Sequence, residues 1–339
     1  MGQLDTIPGN NFTIQYGTSD FSFLNKDFAI VATVYLTLID FFIISGNSWV
    51  IFKIFFNFRK SMYLLASLVV SDLLTGITLI PLYLLWIYNM EFFVSHPICY
   101  GTMMMSLFLS GASILNIVAM TLERYIAICF PIFHQSFVKV NIKVVISVTI
   151  SVVWFTSFLG ALFSFFVMKR DFVFCSYYNV YESKFLLWAI ILGFFSPLCL
   201  LAAMYIKMII SVRKCFKRET NETRPWLRSK LTSQSSEHRQ KNINKCLRKM
   251  LTTLCFVLTG FIVCWGPFVF TIFLRLVCSS CQMPLLAYEV ILLLGMTNSL
   301  VNPLIYCIRH RSFRNLRSQH TTVVYSKKDQ SNSYNSYHA

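Results

Sequence analysis

Asp72 stands in the stretch "LASLVVSDLL", where its neighbours along the chain are aliphatic residues, an alanine and two serines. A carboxylate among hydrocarbon side chains costs about 2.5–3.5 kcal/mol at the centre of a membrane helix on insertion scales, so it marks a site by default. A second polar set lies in "GMTNSLVNPLIYCIRHRSFRN", residues 295–315, where Asn298, Asn302 and Pro303 interrupt an apolar run that ends in arginines. Amides there can hydrogen-bond between helices, worth about 0.6–2 kcal/mol each. Pro303 removes one backbone donor and permits a kink, and amides next to it can satisfy the groups so freed. "CSSC" places Cys278 and Cys281 at a metal-like spacing. No second Cys/His pair accompanies them, which argues against zinc and leaves a short-loop disulfide or two free thiols. No set of residues reads as catalytic, so an enzyme is not expected.

The elements that must position these residues are apolar and long. The 339 residues are 56% hydrophobic and 13% charged, with 33 Phe and a mean hydropathy of +0.60, far from a soluble domain. A net charge of +16 raises nucleic acid as a partner, but a basic binding domain would not consist mostly of hydrocarbon-compatible windows. Seven such windows run at about 28–56, 62–88, 97–130, 142–167, 184–212, 248–277 and 284–308. Each supplies the ~20 apolar residues that a membrane helix needs, and none alternates like a barrel strand. The expected fold is an all-α, seven-transmembrane helix bundle. Residues 1–27 are polar and lack a basic start followed by a short apolar core, so the first window reads as an uncleaved insertion signal.

Basic residues orient the bundle. Of the 30 Lys and Arg, 24 lie in the connections after the first, third and fifth windows and beyond the seventh, twelve of them in the inner loop 213–249. Positive charge stays cytoplasmic, which puts the N-terminus outside and the C-terminus inside. Asn11, in Asn11-Phe12-Thr13, is then a glycosylation acceptor.

Motifs now accumulate in order: Gly46-Asn47 on the first window, Leu68 and Asp72 on the second, "LERYIAIC" closing the third, Trp154 in the fourth, Pro197 in the fifth, "CWGP" (Cys264 to Pro267) in the sixth and "NPLIY" (Asn302 to Tyr306) in the seventh. Together they resemble the rhodopsin-like (class A) G-protein-coupled receptors along nearly the whole chain. That resemblance implies a plasma-membrane receptor that couples to a heterotrimeric G protein. It implies an allosteric sodium ion and water held by Asp72, Ser113, Asn298 and Asn302 beneath Trp265, with no other metal or cofactor. Sodium is a hard cation suited to oxygen ligands; interhelical hydrogen bonding by the asparagines is the plainer alternative. The resemblance also gives Arg124 a switch role with Glu123 as its partner, where the family more often has Asp, and has Tyr205 and Tyr306 swing toward it on activation. Pro197, Ile114 and Phe261 match a connector trio, although Ile114 and Phe261 alone read as core residues. Leu247 replaces an acidic clamp, so raised basal activity is expected. Cys99 and Cys175 match the family disulfide.

The pocket positions implied are Met103, Ser106, Leu107, Ser110, Ala189, Gly193, Phe268, Ile272, Leu292 and Met296. Ser106 stands where amine receptors carry an aspartate, so the receptor reads as non-aminergic, with a small, mostly neutral extracellular ligand. Met296 stands where opsins carry the retinal lysine. Glu289 reads as a solvated rim charge, with a counter-charge for a cation as the alternative, and Asp40 is expected to face a polar neighbour. "SMYLLASLVVSDLL" and "MTLERYIAICFPIFH" also resemble odorant receptors, whereas "CWGP" is the non-olfactory pattern; a chemosensory receptor is therefore an alternative. A transporter would need charged pairs along a pore, and Asp72 stands nearly alone. Residues 309–319 read as an amphipathic helix on anionic membrane lipids, and 320–339 as a disordered tail whose serines could recruit arrestin once phosphorylated.

Overall fold

In the computed structural model, residues 26–57, 62–88, 96–172, 175–222, 234–278 and 285–309 are described. Seven helices form where the apolar windows lie, because a chain in hydrocarbon must satisfy its backbone internally. They are α1 (Lys26–Asn57), α2 (Tyr63–Tyr88), α3 (His96–Cys129), α4 (Ile142–Phe166), α5 (starting at Ser183–Ile190 and ending in Ser196–Glu222), α6 (Gln234–Val277) and α7 (Leu285–Met296 and Asn298–Arg309). All seven are long and apolar enough to cross a membrane. Among the described residues there is no strand, only an isolated antiparallel bridge between Met168 and Tyr181.

Two helices carry a π-helical turn, at Thr75–Leu79 in α2 and Ile191–Phe195 in α5. Such a turn adds a residue to the i→i−4 ladder and rotates the helix beyond it. α7 breaks at Thr297, whose amide is shared between the carbonyls of Leu293 and Leu294.

α3 occupies the middle, packed against α2, α4, α5 and α6, while the second half of α7 packs on α1, α2 and α6. One apolar cluster (Leu68, Ile117, Leu201, Val257 and Tyr306 among its members) fills the half of the bundle near Arg124. Another, around Cys99, Tyr177, Tyr181, Phe268 and Tyr288, fills the half that carries the Cys99–Cys175 disulfide. These are called here the arginine end and the disulfide end. Outward positions are apolar as well: Phe41, Phe55, Phe155, Phe166, Trp188 and Val263 are all more than half exposed. An apolar coat of this extent belongs in lipid, and the protein is a multi-pass membrane protein.

α5 and α6 run past the apolar windows, to Glu222 and from Gln234, so the basic inner loop is helical at both ends. Asn11, Cys281, the 309–319 amphipathic helix beyond Arg309 and the 320–339 tail lie outside the described residues, as does the side chain of Leu247.

Candidate functional site

The polar centre forms where α2, α3 and α7 meet. Asp72 is 1% exposed and its Oδ2 accepts a 2.8 Å hydrogen bond from Asn302 Nδ2. Ser299 stands beside it as well. Asp72 Oδ1 and Ser113 Oγ are buried without a hydrogen-bond partner. Asn298 and Asn302 are buried too; of the expected set, Asn302 is the residue bonded to Asp72. Above them lies a cavity of about 40 Å³, lined by Thr75, Leu79, Ser106, Leu109, Ser110, Ser113, Trp265, Leu292, Gly295, Met296, Asn298 and Ser299. A water needs roughly 10–15 Å³ on this measure, so the space suits two or three waters or an ion with its water. Ser113 lines this space, and unpartnered oxygens such as Ser113 Oγ and Asp72 Oδ1 have the donor chemistry of a hard monovalent cation.

α1 repairs the damage done by Pro303. A proline at 303 leaves the carbonyl of Ser299 without its helical donor. Asn47 Nδ2 donates to that carbonyl at 3.1 Å, and also to the Ile43 carbonyl at 2.9 Å. The repairing amide thus comes from another helix and not from Asn298 or Asn302. Gly46 allows the approach, since a Cβ there would stand 3.2 Å from the Pro303 ring. A Cβ at Gly295 would stand 3.2 Å from the Trp265 ring, so the indole rests against α7 at the cavity wall. Trp154 Nε1 donates to Ser67 Oγ at 2.9 Å, tying α4 to α2.

At the arginine end, Arg124 Nε lies 3.7 Å from Glu123 Oε2, with the arginine side chain 29% exposed. Arg124 and Glu123 are consecutive on α3, so this long contact ties no second helix to the arginine. Tyr205 is buried and contacts Cys255 of α6. Tyr306 is buried with its hydroxyl unpartnered. Ile114 and Phe261 share one apolar cluster with Phe194, whose ring stacks on Phe261 at 5.7 Å; Pro197 is buried one turn from Phe194.

At the disulfide end, the loop between α4 and α5 closes the bundle. The Cys99–Cys175 disulfide pins it to α3, and the helical turn Tyr177–Val180 dips inward. Tyr177 OH meets Ser106 Oγ at 2.5 Å, and its ring packs edge-on against Phe268 at 5.3 Å. Burial raises the Tyr177 phenol above its ordinary value, which keeps it protonated and able to donate. Of the expected pocket residues, Ser106, Ser110, Leu292 and Met296 line the cavity. Met103, Phe268 and Ile272 are buried in the cluster around Tyr177, with Leu107 packed against it. Ala189 is half-buried, while Gly193 is exposed with open space where a Cβ would be.

Two further sequence expectations change. Glu289 is no rim charge: it is 2% exposed and accepts a hydrogen bond from Tyr83 of α2. Asp40 meets no polar neighbour among the described residues; it packs on Gly76 at the π-turn of α2, with Oδ1 unpartnered. Tyr177 was not singled out, although its place two residues after Cys175 signals that the disulfide would set it over the bundle. Cys278 is disulfide-bonded. Cys129, Cys199, Cys255 and Cys264 are free thiols.

Residues 46–306 match the family described as "7 transmembrane receptor (rhodopsin family)". The chain is 26% identical over 302 residues to trace amine-associated receptor 13c of Danio rerio, covering 82% of each chain. It is 25% identical over 332 residues to 5-hydroxytryptamine receptor 1B of Equus caballus, covering 84% of each. With 5-hydroxytryptamine receptor 2B of Dichotomyctere fluviatilis, it shares 24% identity over 360 residues, 86% of this chain and 76% of the other.

Proposed function

Because the chain belongs to the rhodopsin family of seven-transmembrane receptors, we propose that it converts occupancy by a small organic ligand at the disulfide end into activation of a heterotrimeric G protein at the arginine end. The carrying observation is the buried Asp72 centre: a carboxylate bound to Asn302 on one oxygen, with the other oxygen and Ser113 Oγ buried without a partner. Asp72, Ser113 and Asn298 would hold a sodium ion, which supplies the positive charge that an ionised buried carboxylate requires.

The chain's own residues then act as follows. A ligand entering the cavity meets Trp265, which rests on Gly295 of α7 and belongs to α6. Pressing on the indole shifts α6 against α7, and the bends at Pro267 and Pro303 absorb the motion. The half of α6 beyond Phe261 swings away, the weak Arg124–Glu123 pair opens, and Arg124 is freed toward the G protein. Lys and Arg crowd that end and the loop 213–249, which supports a cytoplasmic arginine end and an extracellular N-terminus. The tail serines add arrestin as a second cytoplasmic partner.

Ligand class is the finer question. Ser106 alone argues for a neutral ligand, while the relatives bear the names of amines. The receptor reading is tested with R124A in cells that express each of the main G-protein subtypes. Surface abundance within twofold of wild type with loss of at least about 90% of ligand-independent and ligand-driven nucleotide exchange is expected. Undiminished exchange would remove Arg124 from the output and with it the reading.

A further inference from the structure

Glu289 raises the question that the small-molecule reading leaves open. It is a fully buried carboxyl near the disulfide end of α7, its hydrogen bond comes from Tyr83, and no cation pairs with it among the described residues. A buried charge without a partner is costly, and one kept in such a place invites a partner from outside.

Aromatic rings surround it on both helices. Tyr83 stacks on Trp86 at 5.3 Å and 24°. The adjacent Tyr288 packs against Tyr178 at 5.6 Å and against Phe268 at 6.0 Å. Arg275 already lies over the Tyr178 ring, 4.3 Å from its centroid, so this wall accepts cations on its faces. Ring faces and a carboxylate together are the recognition chemistry of ammonium groups.

Position connects this wall to the cavity. Glu289, Leu292 and Met296 are spaced i, i+3 and i+7, on one face of α7, and the latter two line the cavity. Seven residues of helix span about 10 Å, the length of an arylalkylamine with its ring near Trp265. Ser106, by contrast, is engaged by Tyr177 and offers no charge.

We propose that Glu289, with Trp86, Tyr178 and Tyr288, forms the counter-charge site for a protonated amine, the cationic end of a ligand whose apolar part extends along α7 toward the cavity at Trp265. This rests on the small-molecule receptor reading, whose ligand class it names.

The competing role is a structural tie between α2 and α7. E289Q separates the two, because its amide oxygen still accepts from Tyr83 while the charge is gone; Y83F does the reverse. Purified full-length receptor is melted with phenethylamine or hexylamine, both protonated at pH 7, and with phenethyl alcohol or hexanol as neutral counterparts. The amines are expected to raise the melting midpoint and the alcohols not to. E289Q should melt near wild type without ligand and bind the amines at least about tenfold more weakly, whereas Y83F should bind them within about threefold of wild type. An amine shift that survives E289Q, equal losses in both variants, or no amine shift in wild type would each overturn the site. Nucleotide exchange is measured in parallel: Glu289-dependent amine binding with no exchange on any G-protein subtype would defeat the receptor reading and leave the site standing.

Discussion

The carbonyl of Ser299 shows how much one side chain can matter. Pro303 removes its helical donor and Asn47, on another helix, supplies the replacement at 3.1 Å. With Asn47 wholly buried, N47A strands that carbonyl away from water at about 1–3 kcal/mol. The expected result is a lower melting midpoint for purified receptor and reduced surface abundance. P303A restores the missing N–H, so N47A should cost clearly less in that background; equal cost in both would show that Asn47 serves something other than Ser299. The residues of this interaction are plain in the sequence as "GN" and "NPLIY", but their pairing is not. Spacing says which carbonyl a proline frees and says nothing of which helix lies against it, 252 residues away. The same blindness left Glu289 at the rim, because Tyr83 is 206 residues distant. Asp72 and Asn302, which the structure joins, stood out in the sequence because a carboxylate and an amide inside apolar windows have few uses.

Helices were legible as lengths and opaque as shapes. Hydropathy marks the apolar span, so the second window at 62–88 and the helix Tyr63–Tyr88 agree; the sixth window, from about 248, misses the polar extension back to Gln234. The π-turns in α2 and α5 leave no mark on a periodicity averaged over several turns. Close contact between helices is likewise a matter of single glycines. A Cβ at Gly260 of α6 would stand 2.6 Å from Val301 Cγ1 of α7. Val301 is β-branched and has little rotamer freedom in a helix, so the helices themselves must separate. G260A is therefore expected to destabilise by about 1–3 kcal/mol, the usual range for overpacking. V301A removes the obstructing methyl, and the double variant should regain most of the loss in melting midpoint. If G260A alone melts like wild type, α6 and α7 are already free to part and Gly260 does not set their distance.

Across the whole bundle, a buried polar centre at Asp72 lies between the two ends. At the disulfide end Tyr177 lies over Ser106, at the arginine end Arg124 pairs with its neighbour Glu123 at 3.7 Å, and between them Asp72 has one oxygen unpartnered. A cation bound there would favour this closed arrangement, since opening α6 draws Trp265 and the α7 amides away from Asp72; whatever binds one arrangement better shifts the population toward it. Sodium at ten times its Kd would add about 1.4 kcal/mol to stability. Purified receptor should then melt higher in sodium chloride than in N-methylglucamine chloride of equal ionic strength. D72N, which retains an oxygen acceptor for Asn302 and loses the charge, should melt alike in both salts. The coupling makes a second demand on the same pair of salts: sodium should weaken agonist potency in wild type and leave it unchanged in D72N. Sodium that stabilises without touching agonist potency would place a bound ion at a centre that does not take part in switching, because a ligand indifferent to two arrangements cannot move the balance between them.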